Sequence, residues 1–289
     1  MPATSDPRPI GVFDSGLGGL TAVREIFRQL PQESVIYFGD TARLPYGNKS
    51  RETVTRFSLE ITSFLVRRNV KCVVVACNTA SSHALEALKA RWEVPVIGVI
   101  EPAARAAVAV SPHGRIGVVG TLATVGSQAY AQELTRLAAG SAVLQRACPL
   151  FVPLVEEGWL DHPVTRMVAD EYLAELKEAN LESLILGCTH YPLLAPMLAD
   201  IMGPAVTLID SGAEAARATA AILAERGQLA DGKAAKHQFF LSDEPRRRSF
   251  ARVAESFLAR PLPNVTVVDQ TDLPWFERAP RAVLGEETA

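Results

Sequence analysis

VVVACNTASS (residues 73–82) and LILGCTHYP (residues 184–192) each carry an apolar run into a cysteine that is followed by hydroxyl, amide or imidazole side chains. Short Val-, Ile- and Leu-rich runs without strict alternation are the pattern of strands buried on both faces of a parallel sheet. One such motif in each half of the chain makes Cys77 and Cys188 a matched pair.

Outward from these motifs the chain repeats. Ile10-Gly11-Val12 recurs as Ile116-Gly117-Val118, and each copy opens a series of apolar runs. The runs begin near Ile10, Val35, Val73 and Val96 in the first copy, in steps of 25, 38 and 23 residues. In the second they begin near Ile116, Ala142, Leu184 and Val206, in steps of 26, 42 and 22. Both cysteines end the third run of their copy, which points to an internal duplication. The expected fold is α/β, with two pseudo-symmetric lobes of mainly parallel sheets flanked by helices and both cysteines facing the cleft between them. Crossings near residues 99–102 and near Asp210 assign residues 1–99 plus 210–289 to lobe A, carrying Asp14 and Cys77. Residues 100–209 form lobe B, carrying Thr121 and Cys188.

Helical stripes lie between the runs. Ser50 is placed to cap a helix whose apolar face is Val54, Phe57, Ile61, Phe64 and Leu65. Leu20, Val23, Ile26, Phe27 and Leu30 make another face, and Val164, Met167, Val168, Tyr172 and Leu176 a third. The tail is read as an Ala-rich helix after residue 210, a strand at 239–241, a helix over 250–258 and a strand at 265–268, completing one lobe.

The 289 residues, 48% of them hydrophobic, suffice for two well-buried cores. A formal net charge of -3 gives no global reason to bind nucleic acid or an anionic membrane, and Arg246-Arg247-Arg248 reads as a solvated helix start. No apolar stretch approaches the roughly 20 residues that span a bilayer, and MPATSDPRP lacks a signal-peptide core, so a cytoplasmic protein is expected. Its four cysteines, Cys72, Cys77, Cys148 and Cys188, have no close metal-type pairing and are expected to stay reduced, with no metal.

In open α/β sheets ligands collect beyond the carboxyl ends of the strands, where all the polar motifs are predicted to lie. Asp14-Ser15-Gly16-Leu17-Gly18-Gly19 follows the first run and opens a helix, whose N–H groups could receive an anion. It is no dinucleotide fingerprint, since Thr21 stands where the last glycine is required; the glycines argue for close backbone approach. A free thiol has a pKa of about 8.5 and is lowered near helix N-termini, which is expected of thiols at strand ends. Two thiols on opposite faces of a ligand can remove a proton from one side and return one to the other, inverting a stereocentre. The motifs contain no lysine, which argues against a pyridoxal Schiff-base enzyme. Ser15, Thr41, Asn78, Thr79, Thr121, Thr124 and Thr189 suit a small polar ligand whose carboxylates are held by neutral donors.

IGVFDSGLGGLT (10–21), FGDTARLPYG (38–47), ACNTAS (76–81), GTLATVGS (120–127) and GCTHYPLL (187–194) together resemble the motif set of the glutamate racemases, over residues 10–257. The resemblance implies cofactor-independent interconversion of L- and D-glutamate for peptidoglycan synthesis, in a cleft between two α/β lobes. It implies that Cys77 and Cys188 are the acid/base thiols, Cys77 acting on D-glutamate and Cys188 on L-glutamate, although the sequence is equally compatible with the reverse. Asp14 resembles the carboxylate that tunes the first thiol or contacts the substrate amino group, and His190 and Glu156 the helpers of the second. Substrate contacts are implied for Asp14, Ser15, Tyr46, Gly47, Asn78, Thr79, Thr121, Thr124, Thr189 and His190. Cys72 and Cys148 are read as structural.

Two other functions are compatible. Aspartate or hydantoin racemases share the two-thiol plan, but aspartate racemases typically carry glutamate where this chain has His190. A gyrase-inhibiting role, attributed to some glutamate racemases, finds no support in the acidic composition. The absence of a C-x-x-C motif argues against a thiol oxidoreductase. Oligomeric state is open, a homodimer being one expectation. With nine residues before the first run, activation by a peptidoglycan precursor is not expected.

Overall fold

Every apolar run of the repeat is a strand. In the computed structural model, which describes residues 5–231, 235–243, 250–262, 264–271 and 274–277, the first copy holds β1 (Ile10–Asp14), β2 (Val35–Gly39), β3 (Cys72–Val75) and β4 (Val96–Gly98). The second holds β5 (Arg115–Gly120), β6 (Ala142–Ala147), β7 (Ser183–Gly187) and β8 (Thr207–Asp210). Each starts within one residue of its expected position. The tail adds β9 (His237–Leu241) and β10 (Val265–Val267).

The strands form two sheets, β10-β9-β2-β1-β3-β4 and β6-β5-β7-β8, with every pairing parallel. The repeated strands keep the same order in both sheets, as a duplication requires. Register matches too: Phe13 lies opposite Val75 and Val119 opposite Leu186, so Cys77 and Cys188 each stand two residues beyond equivalent rungs. Because parallel pairing puts all carboxyl ends along one edge, both cysteines emerge on the ligand-binding side of their sheets.

The helices are α1 (Leu20–Gln29), α2 (Arg51–Val66), α3 (Asn78–Arg91), α4 (Ile100–Ala109), α5 (Leu122–Gly126), α6 (Ala129–Leu137), α7 (Phe151–Glu156), α8 (Pro163–Glu178), α9 (Ala195–Met202), α10 (Ser211–Glu225) and α11 (Phe250–Leu258). Ser50 caps α2, its hydroxyl accepting from the Thr53 amide at 3.3 Å, a contact of about 1 kcal/mol. Val54, Ile61, Phe64 and Leu65 are buried under it.

There are two cores, but they do not divide lobe by lobe. One lies between the six-stranded sheet and α2 and α3, joining Phe13, Phe38, Val73 and Val75 to Phe64, Leu88 and Trp275. The other begins at Ile10, Val12 and Val74 beneath α1 and runs on through α10 and α4 into Ile116, Val118 and Leu184 of the second sheet. Small side chains make this continuity feasible: Ala103, Ala104 and Ala107 of α4 and Ala215 and Ala216 of α10 are fully buried. The two crossings of the chain thus lie inside a shared apolar mass.

The expected face of α8 holds in part: Leu176 is buried, Val168 and Tyr172 pack against the core, and the other two residues do not. Val164 is 42% and Met167 71% exposed, while Thr165, Ala169, Leu173 and Leu176 are buried. The Thr165 hydroxyl donates to the Trp159 carbonyl at 2.6 Å, and small Thr165 and Ala169 let α8 approach β6 and α9 more closely than Val164 and Met167 would. Arg246-Arg247-Arg248 and residues 278–289 lie outside the described residues. Among the described residues no helix is long and apolar enough to cross a membrane.

Candidate active site

The carboxyl edges of both sheets border one cavity of about 390 Å³, within the range that holds small ligands. Ser15, Tyr46, Gly47, Cys77, Asn78 and Thr79 line it from the first half of the chain, and Thr121, Glu156, Cys188, Thr189 and His190 from the second. Of the residues singled out in the sequence, Asp14 and Thr124 stand one layer behind its wall, both fully buried. Thr41 is away from it, its hydroxyl donating to the Asp243 carbonyl at 2.8 Å.

Cys77 is the N-cap of α3. Its sulfur accepts from the Ala80 amide at 3.4 Å and its thiol donates to Ser15 Oγ at 3.6 Å. The expectation of a lowered pKa is not met: burial, reinforced by the Asp14 charge, pushes the Cys77 thiol up to about 12, outweighing the Ala80 and Ser15 hydrogen bonds. Burial also raises Asp14, against the opposing His190 charge and the N–H groups of Gly19, Gly16 and Ser15. The Gly16 amide donates to Asp14 Oδ2 at 3.0 Å. The loop before α1 thus turns its own amides onto the Asp14 carboxyl group. The glycines there permit close approach, as expected. A Cβ on Gly19 would lie 2.4 Å from Asp14 Cβ, and one on Gly18 only 2.3 Å from Thr189 Oγ1.

Around Cys188 the partners differ. Its sulfur lies 3.9 Å from His190 Nδ1, while His190 Nε2 lies 3.3 Å from Glu156 Oε1 and Phe257 packs edge-on at 5.0 Å. Burial by itself would lower His190, but the hydrogen bonds to Cys188 and Glu156 prevail and hold it at about 10. Protonated, the ring can donate Nδ1–H toward sulfur and Nε2–H toward carboxylate. Thr21 Oγ1, 3.0 Å from the Thr189 carbonyl, ties the turn to the start of α1.

Hydroxyls bridge the halves. Thr79 Oγ1 is 3.1 Å from Thr121 Oγ1 and 3.3 Å from Thr124 Oγ1, and the latter two are 3.0 Å apart. Tyr46 donates to Asp40, whose carboxylate also accepts from Arg43 Nε at 2.8 Å and Ser242 Oγ at 2.8 Å, fixing the wall beside Gly47. Among the described lining residues there is no lysine or arginine, so ligand carboxylates would meet hydroxyls, amides and the first turn of α3. Among the described residues no three His, Cys, Asp or Glu side chains group as a metal site.

Sequence reasoning missed the apolar part of the cavity: Leu44 and Pro45, Leu122, and Pro149, Val152 and Pro153. A signal existed for α7, because Val152 and Pro153 precede Glu156 by four and three residues and share its helix face. It also missed Tyr130 and Ser211, which hold Asn78 from behind.

The sequence model of the Asp/Glu/hydantoin racemase family matches residues 10–219. The chain is 53% identical to a glutamate racemase of Geobacter metallireducens over 260 residues, covering 89% of this chain and 95% of that protein. A glutamate racemase isoform of Bacillus anthracis superposes with a TM-score of 0.87 at 42% identity, covering 91% of this chain and 98% of the other. The glutamate racemase of Francisella tularensis, solved with D-glutamate, gives 0.85 at 38% identity over the same shares. With the four repeated strands in the same order in both sheets, a cysteine at the matching end of each and this sequence kinship, the chain belongs to the Asp/Glu/hydantoin racemase family.

Proposed function

We propose that the chain interconverts L- and D-glutamate without a cofactor, Cys77 and Cys188 exchanging protons with Cα from opposite sides. The observation that carries this reading is that the two cysteines occupy equivalent strand ends of the duplicated sheets and line one cavity. One thiolate takes the α-proton, breaking Cα–H and forming S–H, and the thiol across the cavity delivers its own proton to the opposite face of the carbanion. The next turnover in the same direction requires the two sulfurs to regain their starting protonation.

The two sulfurs have different surroundings. His190, held at about 10 between Cys188 and Glu156, is a cation 3.9 Å from the second sulfur. Cys77, pushed to about 12, keeps its proton. For the reverse reaction Cys77 must act as base, and Asp14, raised by burial, is the carboxylate whose charge bears on it. This favours a tuning role for Asp14 over direct contact with the substrate. Ser15, Asn78, Thr79, Thr121 and Thr189, with the Tyr46–Gly47 wall, hold the carboxylates and the amino group. The working lobes are residues 1–99 plus 210–289 and residues 100–209. The product D-glutamate serves peptidoglycan synthesis in the cytoplasm, an environment suited to four free cysteines.

The test is optical rotation of L- and of D-glutamate with purified enzyme in D₂O, with deuterium at Cα followed by NMR. Decay from either enantiomer with deuterium entering the product is expected. Racemisation of aspartate but not glutamate would overturn the substrate, and inertness toward both would overturn the activity.

A further inference from the structure

Behind Asn78, buried groups form a directed chain of hydrogen bonds. Ser211 Oγ, at the start of α10, donates to the Leu186 carbonyl of β7 at 3.0 Å. With its proton engaged there, Ser211 Oγ accepts from Asn78 Nδ2 at 3.1 Å. That sets Asn78 Oδ1 toward Tyr130, whose hydroxyl donates to it at 2.6 Å. Tyr130, Ser211 and Asn78 are 0%, 1% and 2% exposed, so water offers no substitute partner.

A carboxamide is nearly symmetric in shape, and only its partners distinguish oxygen from nitrogen. Here the hydrogen bonds made select one orientation, with Tyr130 donating to Oδ1 and Nδ2 donating to Ser211. A flipped amide would give up the Tyr130 hydrogen bond to Oδ1 and set that oxygen against a Ser211 hydroxyl whose proton is engaged at Leu186. Burial pushes the Tyr130 hydroxyl well above its ordinary pKa, so it does not lose that proton. In the allowed orientation one Nδ2 hydrogen is engaged by Ser211 and the other is left for a ligand in the cavity that Asn78 lines. A donor is what a carboxylate needs in a wall whose described residues include no lysine or arginine.

The same residues connect the two halves. Asn78 follows Cys77, whereas Tyr130, from α6, packs its ring on Gly187, where an added Cβ would come within 3.2 Å of Tyr130 Cε2. Gly187 precedes Cys188, and Leu186, the final acceptor, precedes Gly187. We propose that Tyr130 and Ser211 are positioning residues for substrate binding, locking the Asn78 carboxamide as a carboxylate donor and tying the Cys77 end of one sheet to the Cys188 end of the other. This rests on the racemase reading above and deepens it.

The experiment compares wild type with Tyr130→Phe and Ser211→Ala, each alone and combined with Asn78→Ala. It uses steady-state racemisation of glutamate, calorimetric binding of D-glutamate and thermal melting. Loss of one orienting hydrogen bond is expected to raise KM and Kd about tenfold while kcat stays within about threefold. In the Asn78→Ala background the added effect on Kd is expected to vanish, because both residues act through that amide. KM and Kd within about twofold of wild type in both variants, a fall in kcat alone, or effects on Kd that add in full to Asn78→Ala would overturn the proposal. Should Tyr130→Phe fail to fold, Ser211→Ala, which deletes a single oxygen, decides it. A wild-type chain inert toward glutamate would instead overturn the functional reading, and is seen before any variant is tested.

Discussion

Gly18→Ala is expected to damage the site around Cys188 although Gly18 belongs to the first copy of the repeat. A Cβ there would sit 2.3 Å from Thr189 Oγ1, 2.5 Å from His190 Nδ1 and 2.6 Å from His190 Cε1. Non-bonded heavy atoms settle near 3.5 Å, so the loop and the Thr189–His190 turn must part by about 1 Å. Neither side yields freely. The Gly16 carbonyl accepts from Tyr37 at 2.8 Å, Thr21 Oγ1 bonds the Gly18 carbonyl at 2.8 Å, and His190 is held among Cys188, Glu156 and Phe257. Overpacking of this kind costs about 1–3 kcal/mol, a Tm loss of several degrees. Displacing an acid/base group by about 1 Å lowers the rate on the order of 100-fold. The assay is kcat/KM in both directions by circular dichroism, with thermal melting alongside. The control is Gly126→Ala: nothing lies within 4 Å of that Cβ, and the exchange is expected to be neutral or to stabilise α5 by up to about 1 kcal/mol. Wild-type kcat/KM and Tm in Gly18→Ala would refute the close contact and the argument built on it.

Cys77→Ala and Cys188→Ala should each abolish racemisation, with Cys→Ser leaving at most a trace, whereas Cys148→Ala should stay close to wild type; full activity in either of the first two would end the two-base mechanism. His190 titrates near 6.5 when unfolded and near 10 when folded, so it contributes stability in full below about pH 6.5 that is lost as pH rises through about 10. Denaturant unfolding of His190→Asn should therefore show a flatter decline from pH 7 to 10, and a slope equal to wild type would contradict the hydrogen-bonded imidazolium. On α8, Met167→Glu should change stability by no more than about 0.5 kcal/mol and Ala169→Leu should destabilise by about 1–3 kcal/mol, read by urea unfolding. The opposite ranking would restore the face inferred from periodicity.

What could be read along the chain was what neighbouring residues decide. Strand positions followed from Val- and Ile-rich runs such as Val73-Val74-Val75, and the Ser50 cap from one hydroxyl at a helix start. The motif residues could be placed because they end strands, and parallel strands end on one edge; eleven of the thirteen named site residues accordingly line the cavity. The α8 face was legible in part: Val168, Tyr172 and Leu176 face the core as periodicity suggests, but Thr165, Ala169 and Leu173 are buried in place of Val164 and Met167, a rotation about the helix axis set by β6 and α9.

The sequence by itself determined the duplicated α/β plan, the pairing of Cys77 with Cys188 and the need for glycine at the DSGLGG loop, since periodicity, β-branching and the lack of a side chain are properties carried locally. Only the tertiary structure decided that one core runs through both sheets, that Asp14 fills the N-terminal loop of α1, that Cys77 is raised while His190 holds its proton, and that Tyr130 and Ser211 orient Asn78. Desolvation, charge interaction and hydrogen-bond direction sum over neighbours that are distant in sequence, and those neighbours exist only once the two halves have packed together.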